Sequence, residues 1–300
     1  MTLRNVLWVF PPLALGTFPF WRRSWKHRMT RYALEFAFWY ALVLLLLILF
    51  ENRLLFKPAS AASWVSPPAS LHVHDVTFVT QDGTQIHGWW CPTDDWTPSQ
   101  GATIYCHGNM GNLTHHIPEA VAWQDNMHQA VLTFDYPGYG RSEGSPSEVG
   151  CYAAAEAAYD WLVKEQHVQP ERVILLGGSL GGGVIADLAS RHPHYALVLV
   201  STFTSIPDVA QRIYFWAPVR YLARNRFASL SKIKDCKGPI FIAHGTADLL
   251  IPIAQGERLF AEANEPKQFF AMKGGRHNEI ISPECFIALR QFLHDHPPAK

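Results

Sequence analysis

Ser179 stands in Gly177-Gly178-Ser179-Leu180-Gly181, and the 300-residue chain carries Asp248 and His277 downstream of it. A serine hydroxyl is a poor nucleophile near neutral pH. An imidazole with a pKa near ~6.5 can take its proton during attack and return it to a leaving group. A carboxylate on the far ring nitrogen fixes the tautomer and stabilises the imidazolium. Ser179 is therefore read as nucleophile, His277 as general base and Asp248 as the orienting acid, in the chain order Ser, Asp, His. The formed oxyanion needs donors: the N–H of Leu180, directly after the serine, and a peptide N–H from the turn His107-Gly108-Asn109-Met110, with Asn109 first and Met110 in reserve.

The elements around Ser179 have the order that this chemistry requires. Val173 to Leu176 is a short β-branched run suited to a buried parallel strand. Val184, Ile185, Leu188 and Ala189 then recur at helical spacing until Pro193. A serine at the tip of such a strand-to-helix turn is strained, and its neighbours two residues away must lack side chains. The helix N-terminus favours developing negative charge. A phosphate-cradling turn is the competing reading. Gly181-x-Gly183-x-x-Ala186 can be written as a dinucleotide fingerprint, but it begins inside the helix and has no acidic residue about twenty positions later.

Other candidates are weighed by position. Asp208 is the reserve acid, and Asp135 reads as holding its own loop. His107 and His244 stand in His-Gly turns after strands and read as loop-binding. His115, His116 and Glu119 could be drawn as metal ligands, but Pro118 spoils the helical geometry. The five cysteines have no C-x-x-C or zinc spacing, so neither metal nor cofactor is expected. Formal net charge is +0, which argues against nucleic acid as partner.

From Leu71 onward strands alternate with helices. Val76–Thr80 and Gln85–Trp90 flank Asp82-Gly83 as a hairpin, and strands follow at Ala102–Cys106, Ala130–Phe134, Val173–Leu176, Ala196–Val200, Pro239–Ala243 and Lys267–Met272. The expected fold is α/β, a doubly wound, mostly parallel sheet with ligands bound at the strands' carboxyl ends, where every motif above falls. Residues 203–236 form an irregular insertion with Tyr214, Phe215, Trp216, Tyr221 and Phe227 among Arg212, Arg220, Arg224 and Arg226. It reads either as a helix pair closing the core or as an acyl-chain pocket with a basic face toward anionic headgroups.

The N-terminal part differs in kind. Residues 32–50 are almost wholly apolar, broken only by Glu35. At 1.5 Å per residue they span roughly 28 Å, close to a bilayer core, and read as a transmembrane helix. Arg22, Arg23, Lys26, Arg28 and Arg31 precede it, against Arg53 and Lys57 after it. This charge bias places the N-terminus in the cytoplasm and the later domain across the membrane, as an uncleaved signal anchor. The expected division is an N-terminal segment 1–31, with Val6 to Trp21 interfacial, the anchor 32–50, a Pro/Ala/Ser-rich linker 51–70 and the catalytic domain 71–300.

Taken together, His107-Gly-Asn-Met-Gly-Asn112, Asp135-Tyr-Pro-Gly-Tyr-Gly-Arg-Ser-Glu-Gly144, Gly177-Gly-Ser-Leu-Gly181, His244-Gly-Thr-Ala-Asp-Leu-Leu-Ile-Pro252 and His277-Asn278-Glu279 resemble the α/β-hydrolase superfamily. More narrowly, residues 72 to 295 are similar to membrane-anchored serine hydrolases of the alpha/beta-hydrolase-domain (ABHD) type. The resemblance implies a short cap at 203–236 and hydrolysis of an ester or thioester through an acyl-enzyme; the aromatic and basic residues of that insertion, with the anchor, point to a lipid-like or acylated substrate and the bilayer as partner. A peptidase or amidase on the same residues, or a non-catalytic interaction protein on this scaffold, are the other readings. Protein partners are not implied.

Overall fold

The computed structural model describes residues 20–69, 71–278 and 281–298, and contains two compact units, residues 1–49 and 50–300. The expected interfacial stretch Val6 to Trp21, save its last two residues, and Glu279 lie outside the described residues.

In the first unit, one helix, α1, runs Phe20–Leu49. Its portion Ser24–Leu49, 26 residues, is long and apolar enough to cross a membrane. It therefore begins well before the expected residue 32. Nothing local stops it, because Arg, Lys and Met are as helix-compatible as Leu. Its apolar side chains are exposed in all directions, with Leu34 and Phe36 about 70% accessible (67% and 72%).

The second unit opens with α2 (Glu51–Leu55) and a two-residue strand β1 (Lys57–Pro58). The hairpin β2 (His74–Val79) and β3 (Gln85–Cys91) follows, then β4 (Ala102–Cys106), β5 (Met110–Gly111), α3 (Ile117–Met127) and β6 (Ala130–Phe134). Next come α4 (Glu148–Lys164), β7 (Val173–Gly178), α5 (Leu180–Arg191) and β8 (Ala196–Val200). Three short helices α6 (Ile206–Ile213), α7 (Val219–Leu222) and α8 (Ser229–Lys232) precede β9 (Ile240–Gly245), α9 (Ile253–Glu262), β10 (Lys267–Met272) and α10 (Pro283–Asp295). Side-chain caps begin α4, α6 and α10: Ser147, Ser205 and Ser282 accept N–H bonds from Gly150, Asp208 and Cys285.

The main sheet has eight strands in the order β10-β9-β8-β7-β4-β6-β3-β2. Only β2–β3 and β3–β6 pair antiparallel. The central strands are apolar throughout because both faces are covered. Ile104, Leu175, Leu197 and Ile242 pack on one face, and Tyr105, Ile174, Leu176, Val198 and Phe241 on the other. The chain moves from β4 to β6 on one side, then returns past β4 to β7 on the other. The crevice at the carboxyl ends of β4 and β7 is thus the point where winding reverses, which is where such sheets bind ligands.

Residues 51–70 were expected as a linker, and the structure differs. β1 pairs in parallel with β5, Lys57 opposite Met110 and Pro58 opposite Gly111. Phe56 is 2% exposed and packs against Phe227. Composition misleads here because the order comes from donors and acceptors supplied far along the chain.

Candidate active site

The turn between β7 and α5 is shaped by what cannot fit. A Cβ on Gly181 would overlap the carbonyl of Cys106, and one on Gly177 would overlap the carbonyl of Gly181. Ser179 itself adopts φ 51°, ψ −118°, a strained conformation for a side-chain-bearing residue. Its N–H donates to the Val200 carbonyl at 3.0 Å, and its carbonyl accepts from Thr202 Oγ1 at 2.8 Å. The hydroxyl is thereby turned into the crevice. Thr202 drew no notice in the sequence; its position just past the carboxyl end of β8 was the available signal.

His277, after β10, lies with Nε2 3.0 Å from Ser179 Oγ. Its Nδ1 is 2.7 Å from Asp248 Oδ2. The structure thus brings together all three residues named from sequence, across separations of 98 and 29 positions. Asp248 Oδ1 accepts the backbone N–H groups of Leu250 (2.9 Å) and Ile251 (2.8 Å), which fixes the carboxylate plane. Burial works to raise its pKa, but the His244 ring 3.6 Å away and hydrogen bonds from His277 and the Ile251 N–H outweigh it, so the carboxyl titrates well below its usual range. The group is ionised at neutral pH and can hold Nδ1–H.

Leu180 is the first residue of α5, so its N–H has no intrahelical acceptor. The turn after β4 abuts the serine: a Cβ on Gly108 would lie 3.8 Å from Ser179 Cβ. Within this turn the Gly108 carbonyl faces His107 Nδ1 at 2.7 Å. The Asn109 carbonyl accepts from Lys57 N–H (2.9 Å) and the Tyr139 hydroxyl (2.8 Å).

The remaining candidates hold structure. Asp208 is bound by Arg220 at 2.6 Å and by Thr204 Oγ1 at 2.7 Å, so its carboxylate is occupied away from His277. Asp135 is fully buried and accepts from the N–H groups of Leu113 (2.8 Å) and Arg141 (3.3 Å) within its loops. His244 Nε2 faces the Ile251 carbonyl at 2.8 Å and thereby supports the Asp248 loop. His107 is buried and stacks on His116; burial first, then the His116 charge, push its pKa down to about 3. His115 Nδ1 meets Asn112 Oδ1 at 2.9 Å and His116 Nε2 the Met110 carbonyl at 3.0 Å. Among the described residues no group of three or more His, Cys, Asp or Glu side chains could hold a metal ion.

A cavity of about 660 Å³ opens at Ser179 and His277. Its apolar lining includes Trp123, Leu176, Val200, Ile281 and Phe286, and its polar lining His115, His116 and Glu119. No residue of 203–236 lines it, so the expected acyl pocket under the cap is not formed there. Its aromatic side chains divide instead: Phe215, Trp216 and Tyr221 stay exposed at the surface, and Phe203 and Phe227 turn inward. Phe203 and Phe227 are buried, and both lie against the backbone of Gly183 in α5. The insertion closes the core over this small-residue helix.

Comparison with known proteins agrees with this fold. The alpha/beta hydrolase fold family matches residues 102–229. An uncharacterised protein of Mycobacterium tuberculosis is 36% identical over 250 residues, covering 81% of this chain and 87% of that protein. Alpha/beta hydrolase domain-containing protein 17B of Xenopus laevis is 30% identical over 204 residues, 68% of each chain. Among solved structures, the Pyrococcus furiosus esterase Pf2001 superposes with TM-score 0.63 at 18% identity, covering 80% of this chain and 99% of that one.

Proposed function

The chain belongs to the α/β-hydrolase family, and from that premise we propose that it is a membrane-anchored serine hydrolase cleaving carboxylic esters or thioesters through an acyl-enzyme. The observation that carries this reading is the unbroken series Asp248 Oδ2, His277, Ser179 Oγ at 2.7 and 3.0 Å.

Ser179 Oγ attacks the acyl carbonyl carbon while His277 Nε2 takes its proton. The ionised Asp248 holds Nδ1–H and stabilises the imidazolium. The oxyanion is met by the N–H of Leu180 and by that of Asn109, with Met110 as the neighbouring donor. His277 then protonates the leaving alkoxide or thiolate, and water repeats the sequence in reverse roles to release the acid. The apolar lining of the cavity suits an acyl chain of medium length. Structurally similar proteins that are esterases, such as the Pyrococcus furiosus one, fit the same substrate class. The all-round apolar surface of α1 from residue 36 onward supports insertion into a bilayer, since such a segment needs lipid to cover it. The charge bias around it supports a cytoplasmic N-terminus.

A fluorophosphonate probe should label the protein and fail to label Ser179→Ala. A series of p-nitrophenyl esters should then show turnover rising about tenfold or more from acetyl to octanoyl, as burial of added methylenes at roughly 0.8 kcal/mol each allows. Labelling that survives Ser179→Ala would overturn the nucleophile; equal turnover across the series would overturn the acyl preference.

A further inference from the structure

The stretch that follows α1 does more than connect. Lys57 N–H and Ala59 N–H donate to the carbonyls of Asn109 (2.9 Å) and Gly111 (2.7 Å). In return Asn109 Nδ2 donates to the Leu55 carbonyl at 2.7 Å, and Asn112 Nδ2 to the Ser60 carbonyl at 3.2 Å. Residues 55–60 thus grip the 109–112 turn at backbone and side chain together, across more than fifty positions of sequence. The other end is fixed as well. The Glu51 carboxylate accepts from the N–H groups of Arg224 (2.9 Å) and Asn225 (2.8 Å) and from Asn225 Nδ2 (3.0 Å). Asn52 Nδ2 donates to the Pro146 carbonyl at 3.1 Å. Phe56, buried between these ends, keeps the stretch from lifting.

The geometric consequence follows from the planar trans peptide, in which C=O and N–H point opposite ways. Two donors, Lys57 N–H and Tyr139 OH, pin the Asn109 carbonyl, so the plane of the 109–110 peptide is set. The Asn109 side-chain bond to Leu55 sets the residue's own orientation. The plane so pinned carries the Met110 N–H, while the Asn109 N–H belongs to the 108–109 peptide, whose carbonyl faces His107 Nδ1, and is positioned through the anchored Asn109 side chain.

We propose that residues 51–60 are a positioning strap for the oxyanion turn: they fix the Asn109 and Met110 peptides from outside the sheet, so that catalysis depends on the segment directly following the apolar helix. The inference rests on the serine-hydrolase reading above. It assigns Leu55, Lys57 and Ala59 roles that act through the turn, and it gives the Asn109 side chain a function distinct from its backbone; because Lys57 and Ala59 also line the cavity, Lys57→Ala, which keeps the N–H, is the control that separates loss of the side chain from loss of the strap bond.

Two changes to the full-length protein test it. Asn109→Ala removes the bond to Leu55 and leaves every backbone N–H in place. Lys57→Pro removes the N–H that holds the Asn109 carbonyl. It is placed on an exposed strand, after Phe56, which is already extended at φ −92°, ψ 132° as a residue before proline must be. Both should lower kcat on a p-nitrophenyl ester by about 10- to 100-fold with KM little changed, the scale of a misplaced donor. Affinity for a trifluoromethyl ketone, whose hemiketal oxygen uses the same donors, should fall in parallel, while Ser63→Ala in the following turn should change neither. If both variants keep wild-type kcat, or lose kcat while ketone affinity is retained, the strap inference is overturned. Ser179→Ala separates the two levels: if that variant is inactive while the strap variants are normal, only the strap fails; if it is active, the hydrolase reading itself fails.

Discussion

At the scale of single residues, the site depends on charge states that burial alone would not give. Asp248 is held ionised by the donors around it, so Asp248→Asn should keep the fold but present the wrong imidazole tautomer. Turnover should drop about 10⁴-fold with an unchanged circular dichroism spectrum. His107 works in the opposite sense. It is buried neutral, with its pKa lowered from 6.5 to about 3. Between these values the unfolded chain binds a proton that the folded chain refuses. Stability should therefore fall as pH drops from 6.5 toward 3, by up to about 1.4 kcal/mol per pH unit from this group, and be unaffected by it above 6.5. Denaturant titrations across this range should show that slope, flattened in His107→Gln. The Asp248 contribution is separable, because a lowered carboxyl pKa stabilises above its usual value of 3.8 and is lost only at more acid pH.

At the scale of elements, the turn between β7 and α5 is a steric device. Gly177 and Gly181 face backbone carbonyls at overlapping distance, and a carbonyl cannot swing aside as a side chain can. Gly178 has no neighbouring atom within 4 Å of where its Cβ would lie. Gly177→Ala and Gly181→Ala should each cause a severe loss of folded protein, whereas Gly178→Ala should change stability by no more than about 0.5 kcal/mol. Thermal unfolding of the three variants checks this. The insertion follows the same logic. Phe203 and Phe227 fill the space that the glycines of α5 leave. Phe227→Ala should therefore destabilise by about 3–5 kcal/mol, and folded variant protein should keep its preference among ester chain lengths, because residues 203–236 stand outside the cavity.

At the scale of the whole molecule, the chain joins a helix whose residues from 36 onward are apolar on all sides to a domain whose core lies within residues 50–300. The proposed anchor predicts that full-length protein stays with membranes through an alkaline carbonate wash. The proposed sidedness predicts that protease added to intact cells or correctly oriented vesicles digests the catalytic domain and spares the N-terminus; digestion of the reverse pattern would put the domain in the cytoplasm. All five cysteines are buried free thiols, and burial pushes those of Cys91, Cys236 and Cys285 up to about 12. Buried, protonated thiols react slowly, so the thiols leave either compartment open.

Much of this was legible before any coordinates. Strands at Ala102–Cys106, Ala130–Phe134, Ala196–Val200 and Lys267–Met272 recur with the expected bounds because a strand buried on both faces is a short apolar run ended by turn residues, a local signal. The types of Ser179, Asp248 and His277, and their places after strands, were fixed by sequence for the same reason. Three things were decided only by tertiary structure: that these side chains meet at hydrogen-bonding distance, that Phe203 and Phe227 fill the core while Phe215, Trp216 and Tyr221 stay at the surface, and that residues 51–60 grip the 109–112 turn. Each depends on partners far apart along the chain. A hydrogen bond between Leu55 and Asn109 leaves no periodicity in either segment, and Phe227 has the same hydrophobicity whether it faces α5 or an acyl chain.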